Sequence, residues 1–364
     1  MNFNMNGIFE ELLPHLPGVL ASSDALAGIR AVNERLPAGL TTRGGIECHL
    51  GISEAKADWQ LCINGEECGR DMIAGKLPTA DLDNSLFDDR RWRQIRIFVK
   101  NWADPSTEFN EKIRHIWLEF DQDNMKDRAP VPGVFFNVMN PSQSPPGASM
   151  KPGGGNGYGW VADAVRQLQS EPLRKEINDR LQSCFDALPD GSEVDYAASM
   201  ISRNQDAARI VISLGREVLQ DYLAGIEYAG SIQEVMELTE EMGQFARLRY
   251  IFDIADTVLP KVGIECFIDD KQGNNKAASE RFLEHLVARS LCIPEKRDAL
   301  LSWPGHTRAF LPNELWPCYI FRGISHVKIL CRNKRPLEAK GYLRFHRRFT
   351  MDIINDLESA GDRG

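Results

Sequence analysis

The sequence predicts an α/β fold: a closed antiparallel barrel of about ten strands ringed by helices. Two observations carry that expectation. Pairs of short β-type runs recur about five times, and the gaps of roughly 30 to 60 residues between pairs are long enough for one or two helices each. Several runs also alternate polar and apolar residues, so each strand has one face for a core and one for solvent. If helices cover the apolar faces, the polar faces must look somewhere wet. Ten antiparallel strands can close around a solvated lumen and leave no unpaired edge. An open α+β sheet with one wet face is the alternative.

Residues 7–40 read as two amphipathic helices broken by proline, centred on Gly7–Leu13 and Leu26–Leu36. The first strand pair is Ile46–Ile52 with Trp59–Ile63. Its first member sets Ile46, Cys48, Leu50 and Ile52 on one face and Glu47 and His49 on the other. Asp83–Lys100 is a helix, or a helix running into a strand, with a basic cluster on a solvated face. The second pair is His115–Phe120 with Val134–Val138.

The stretch 141–159 is rich in Gly, Pro and Ser and predicts a long mobile rim loop. Strand pairs continue on both sides of it, so residues 1–364 are expected to form a single domain. Gly153–Gly159 resembles a phosphate loop only weakly, lacking GxxxxGK[ST] and a dinucleotide-type βαβ unit.

Helical spacing returns at Val161–Gln169 and Leu173–Phe185, before a third pair at Ala198–Ser202 and Arg209–Ser213. Helices at Glu217–Leu223 and Ile232–Met242 precede the fourth pair, Arg249–Ile254 with Val262–Ile268. Two more, Ala277–Arg289 and Ile293–Leu301 with Pro294 in its first turn, lead to the fifth pair, His326–Cys331 with Lys340–Phe345. There Val327, Ile329 and Cys331 oppose His326, Lys328 and Arg332, while Gly341, Leu343 and Phe345 oppose Lys340, Tyr342 and Arg344.

Composition narrows the function classes. A formal charge of -9 argues against a nucleic-acid partner, because phosphate backbones need a basic surface. No run has the length of a membrane span, and the N-terminus lacks a basic segment followed by an unbroken apolar stretch, so a cytoplasmic protein is expected. Eight cysteines without zinc-type spacing should be mostly reduced and buried.

Taken together, the five helix-separated hairpins, the carboxylate in Ile46–Leu50, and the pairing of His326–Arg332 with Ala339–Arg344 resemble the aromatic prenyltransferases of the αββα-barrel family. The resemblance covers most of the chain as topology and two strand pairs as residues. It implies transfer of a prenyl group from a soluble prenyl diphosphate to an aromatic acceptor, a small molecule or a peptide, in secondary metabolism. In that family a first-strand acid takes the acceptor's proton, and strand-borne cations and phenols hold the diphosphate. Glu47 matches the acid. Lys328, Lys340, Arg344 and Arg209 match the cations, Tyr342 the phenol, and Trp117 would shield the allylic cation. No Asp-rich metal motif is visible, so metal is not obligatory and no cofactor is expected.

Departures from that pattern are specific. The second strand has no arginine, Trp117 and Glu119 stand where a lysine and a tyrosine would be, and Glu265 and Asp269 fall on an inner face. Such a lumen is acid-rich. Plainer roles also stand: Glu47 as a surface strand residue, His49 and His326 as structural groups, Lys328 and Arg332 as part of a solvated basic turn, and Trp303, Trp316 and Tyr319 as packing. The functional alternatives are an accessory barrel that binds a peptide or partner, and a lumen acid–base enzyme such as a cyclase using Glu47 or Glu119. Cations converging on one anion position favour transfer. Cations paired with carboxylates favour the alternatives.

Overall fold

The computed structural model describes residues 4–77, 82–139, 157–169, 173–203, 207–268, 276–311 and 314–354. The described residues hold eleven strands in one antiparallel sheet: β1 (Arg43–His49), β2 (Ala57–Asn64), β3 (His115–Phe120), β4 (Gly133–Asn137), β5 (Glu193–Ser199), β6 (Ala208–Ser213), β7 (Ala246–Ile254), β8 (Val258–Ile268), β9 (Gly305–Ala309), β10 (Cys318–Arg332) and β11 (Glu338–Phe349). Strands β1 to β8 pair in sequence order, β8 pairs with β10, β10 with β11, and β11 returns to β1, which closes a ten-stranded barrel. The eleventh strand, β9, lies outside the ring. It exists because β10 is 15 residues long and outruns β8, so the segment Cys318–Arg322 pairs with β9 instead.

The helices that separate the hairpins are α1 (Asn6–Leu12), α2 (Ser23–Asn33), α3 (Cys68–Ala74), α4 (Arg90–Trp102), α5 (Glu108–Lys112), α6 (Tyr158–Leu168), α7 (Lys175–Asp186), α8 (Arg216–Gly225), α9 (Ile232–Met242), α10 (Lys276–Ala288) and α11 (Pro294–Ser302). They cover the apolar outer face of the sheet. Helix α4 shows how: Asp89 caps it by accepting from the Arg91 amide, and Trp92, Ile95, Phe98, Val99 and Trp102 recur at helical spacing and are buried. Phe98 packs 5.7 Å from Phe136 on β4, and the Trp102 indole donates to the Ile113 carbonyl at 2.6 Å. Burial of each such side chain contributes about 1.5–3 kcal/mol. Trp59 of β2, between Phe9 of α1 and Phe345 of β11, does the same beside the closure of the ring.

Several elements differ from the sequence expectations. The region from Asp83 onward is helical throughout, a 3-10 turn at Asn84–Asp88 and then α4, because its apolar residues keep a helical period to Trp102. Strand β1 ends at His49, so Ile52 falls in the following bend and is exposed rather than on the apolar face. The fifth strand runs Glu193–Ser199 rather than 198–202, and Ile201–Arg203 form a 3-10 turn. Trp303 is core, but Trp316, between β9 and β10, is exposed. Of the stretch 141–159, only Gly157, Tyr158 and Gly159 are described, as the cap and first residues of α6. The expected rim-loop mobility and the phosphate-loop resemblance otherwise fall outside the described residues. Strands on both sides of that stretch join one sheet through the β4–β5 pairing. All eight cysteines are free, and Cys68 alone is exposed. Among the described residues no helix is long and apolar enough to cross a membrane.

Candidate functional site

Antiparallel pairing gives the barrel two distinct ends. The upper end holds the starts of β1, β3, β5 and β7 and the ends of β2, β4, β6 and β8; the lower end holds the opposite termini. Inward-facing side chains divide the lumen into two chambers. The upper one, about 290 Å³, is walled by Trp117, Phe135, Tyr196, Phe267, Tyr342 and His326. The lower one, about 520 Å³, is lined by seven Lys or Arg and five Asp or Glu side chains. Arg209, Ile251 and Lys328 line both chambers and form the waist.

Glu47 lies at the centre of a buried cluster. Register places it between Tyr342 on β11 and Asp58 on β2, and strand alternation turns it inward, where it is 1% exposed. Lys328 donates to its Oε2 at 3.2 Å, and Lys340 donates to Oε1. Lys328 also donates to the Tyr342 hydroxyl and sits 4.7 Å from that ring. Burial would raise the Glu47 pKa, but Lys328 and Lys340 outweigh it and hold the carboxyl well below its ordinary range. Burial, then the Glu47 charge, pushes the Tyr342 phenol well up.

Two neighbouring carboxyls are shifted the opposite way. Asp58, 3.7 Å from Lys340 and accepting from the Gln122 amide at 2.8 Å, is raised to about 7 by burial and then by Glu47. Glu119 is raised by burial and Glu47, although Arg203 lies 3.2 Å away. One ionised carboxylate thus sits beside two carboxyls inclined to hold a proton, an arrangement suited to acid–base work.

Most of the other lumen cations are also paired. Arg209 forks onto Asp253 at 2.5 and 3.1 Å, and Lys261 reaches the same carboxylate at 3.1 Å. Arg249 donates twice to Glu265, at 2.8 and 3.1 Å. His326 stacks on Tyr342 with ring centroids 4.1 Å apart, hydrogen-bonds Ser325 at 3.0 Å and lies 3.5 Å from Glu265.

The fold therefore brings Glu47, Lys328, Lys340 and Tyr342 into one hydrogen-bonded group. Trp117 sits in the upper chamber, Arg209 at the waist under Asp253, and Arg344 at the upper mouth, exposed and without an ion pair among the described residues. The reading of Glu47 as a surface residue is overturned by its burial. So is that of Lys328 as part of a solvated turn, since it is 7% exposed; Arg332 does sit at that turn, paired with Glu338. His49 lines the lower chamber, its pKa lowered to about 4 by burial and then by Lys340. Glu119 and Glu265 face the lumen as expected, and Asp269 lies outside the described residues. In the lower chamber the cations nonetheless outnumber the carboxylates.

Sequence reasoning missed Asp58, Arg203, Arg249 and Asp253. Asp58 alternates with Trp59 and Gln60 and would have been found had β2 been started two residues earlier; Arg249, Ile251 and Asp253 share one face of β7. Arg203, on a 3-10 turn, carries no periodic signal.

No protein-family model matches the chain, and no curated protein matches its sequence. Solved structures do match it. It is similar to the apo form of prenyltransferase PriB, at 15% identity over 92% of this chain and 93% of that one, with a TM-score of 0.54. It is similar to 5-dimethylallyltryptophan synthase from Streptomyces coelicolor, at 15% identity over 94% and 98%, with a TM-score of 0.51. PriB in its binary complex with product diphosphate gives 16% identity over 93% and 94%, with a TM-score of 0.52. The likeness is one of fold: the aromatic prenyltransferase barrel resembled by the sequence is the architecture the chain adopts.

Proposed function

We propose that the chain transfers a prenyl group from a soluble prenyl diphosphate to an aromatic acceptor. The observation that carries this reading is the placing of an ionised, lysine-held Glu47 beneath an aromatic-walled chamber and within a cation-rich one. The solved PriB complex holds product diphosphate within a like fold, which supports the same reading.

In this mechanism Lys328, Lys340, Arg209 and Arg344 bind the diphosphate and Tyr342 donates to it. The allylic C–O bond breaks, and the diphosphate leaves with the electron pair. Trp117 and the neighbouring rings stabilise the allylic cation and exclude water. The acceptor ring forms the new C–C bond, and the resulting arenium ion gives its proton to Glu47. A carboxylate held so low is a weak base, yet it suffices, because an arenium ion is a far stronger acid than any carboxylic acid. Each lysine drawn onto the diphosphate also loosens its hold on Glu47 and restores basicity when the proton must be taken.

The pairing of lumen cations with carboxylates favours a second reading, an acid–base reaction such as a cyclisation, with Glu47 as base and Glu119 or Asp58 as acid. Calorimetry with dimethylallyl and geranyl diphosphate, then incubation with aromatic acceptors and mass spectrometry, separates the two. Donor binding and a product heavier by one prenyl unit are expected. Absence of diphosphate binding would move the assignment to the acid–base reading.

A further inference from the structure

The upper mouth of the barrel carries a charge pattern of which the proposed reaction uses only Arg344. Arg43 on β1, Arg114 just before β3, Arg247 on β7, Arg308 on β9 and Arg344 on β11 are all exposed, and among the described residues none has a carboxylate partner. Several described carboxylates near this end are engaged elsewhere: Glu67 accepts from Thr42, Asp195 from Ser213, Glu265 from Arg249 and Glu314 from Arg347. Two histidines register the resulting field. Burial, then Arg43 and Arg114, lowers His115 to about 4; burial, then Arg43, Arg348 and Arg344, lowers His346 to about 4. A rim of arginines without carboxylate partners among the described residues, on a chain of formal charge -9, points to an anionic ligand.

The rim also has a platform. Past the β-bulge near Ser325, the lumen-facing side of β10 continues upward through Gly323, Phe321 and Tyr319, beside His306 and Arg308 of β9. Tyr319, Phe321 and His306 form a run of ring contacts, with centroids 6.4 and 5.9 Å apart. This ledge extends roughly 17 Å beyond the chamber, at about 3.3 Å per strand residue. Strand β9 pairs only with β10, so its other edge offers unpaired backbone groups among the described residues. The upper chamber, about 290 Å³, is at the small end of ligand pockets, roughly 300–1,000 Å³, and has room for little beyond one side chain and an allylic group.

We infer that the acceptor is an acidic peptide: its aromatic side chain enters the upper chamber while its flanking carboxylates lie along the arginine rim and the β9–β10 ledge. The inference rests on the prenyl-transfer reading for what happens to that side chain. Backbone groups at the β9 edge supply strand-type hydrogen bonds to the extended segment, and the arginines supply charge selection.

Three labelled peptides test it on the full chain: one tryptophan flanked by glutamates, the same with glutamines, and the same with lysines. Fluorescence anisotropy should show the acidic peptide binding at least about ten-fold tighter than the other two, with affinity falling as salt is raised. Arg43→Glu combined with Arg308→Glu should remove that preference and leave dimethylallyl diphosphate binding unchanged, which also shows that the variant is folded. If it does not fold, the salt dependence of the parent protein decides the matter. Equal affinity for the three peptides, or no salt dependence, overturns the inference. Prenylation of free tryptophan with no advantage for the acidic peptide overturns it while leaving transfer standing. Acidic-peptide binding without any prenyl diphosphate binding supports the docking face and overturns transfer.

Discussion

Glu47 and Lys328 are 281 positions apart in sequence, yet Lys328 Nζ lies 3.2 Å from Glu47 Oε2 in the lumen, with both side chains almost fully buried. Removing one partner of such a pair leaves a charge without its counter-ion, at a cost of about 3–5 kcal/mol. Lys340 still holds Glu47, so Lys328→Ala should sit near the lower end of that range, read from urea denaturation. The same variant should weaken prenyl diphosphate binding by about 1.5–3 kcal/mol, the worth of a hydrogen bond to a charged group. Arg344→Ala, at an exposed site, should cost binding about 1 kcal/mol or less. Unchanged binding in both variants would remove the last hairpin from the donor site.

Asp58 should make stability fall with pH. Its carboxyl ordinarily titrates at 3.8 and is raised to about 7 in the fold by burial and then by Glu47. Between those values the folded state holds a proton that the unfolded chain has released. Stability therefore falls as pH rises through this window, by roughly 1.4 kcal/mol per unit at most. Glu47, depressed in the fold, acts with the opposite sign and only at lower pH, where its stabilisation is lost as pH falls through the folded value. Asp58→Asn cannot ionise, so it should flatten the decline and exceed the parent's stability above neutrality while matching it near pH 4. Denaturation midpoints that keep the parent's slope would sink the assignment.

Gly69 tests the packing of α3 against the segment before β1. A Cβ there would stand 1.8 Å from the Leu40 carbonyl oxygen, and Leu40 is itself fixed by a 2.9 Å bond from its amide to the Pro37 carbonyl. Backbone must shift to admit even a methyl group. Gly69→Ala should lose about 1–3 kcal/mol, the usual range for overpacking, and a parent-like thermal midpoint would show that the segment yields easily.

The barrel was legible because its strands alternate. Ile46, Cys48 and Leu50 against Glu47 and His49 announce one greasy and one wet face, and a wet face repeated around ten strands needs a lumen. The last hairpin was legible for the same reason, and Lys328, Lys340 and Tyr342 meet Glu47 because alternation and register agree. Pairing partners were harder. Nothing local says that Asp253 will fork onto Arg209, since that depends on β6 and β7 being neighbours in a particular register. Strand β9 was invisible because Gly305–Ala309 has no apolar alternation; it is a strand only because β10 extends past β8 and leaves an edge to pair with.

Glu47→Gln separates proton transfer from donor binding. The amide keeps the side chain's size and still accepts from one lysine, but it cannot take a proton from an arenium ion. If Glu47 is the base, turnover should fall by roughly 10²–10⁴, the usual contribution of a positioned general base. Donor affinity should hold or rise, because Lys328 and Lys340 no longer share their charge with a carboxylate. Rapid-quench measurement of product formation alongside calorimetry of the diphosphate reads both quantities in one preparation. A variant that turns over at the parent's rate would show that another group takes the proton. Asp58, which faces the same chamber, would be the next residue to replace.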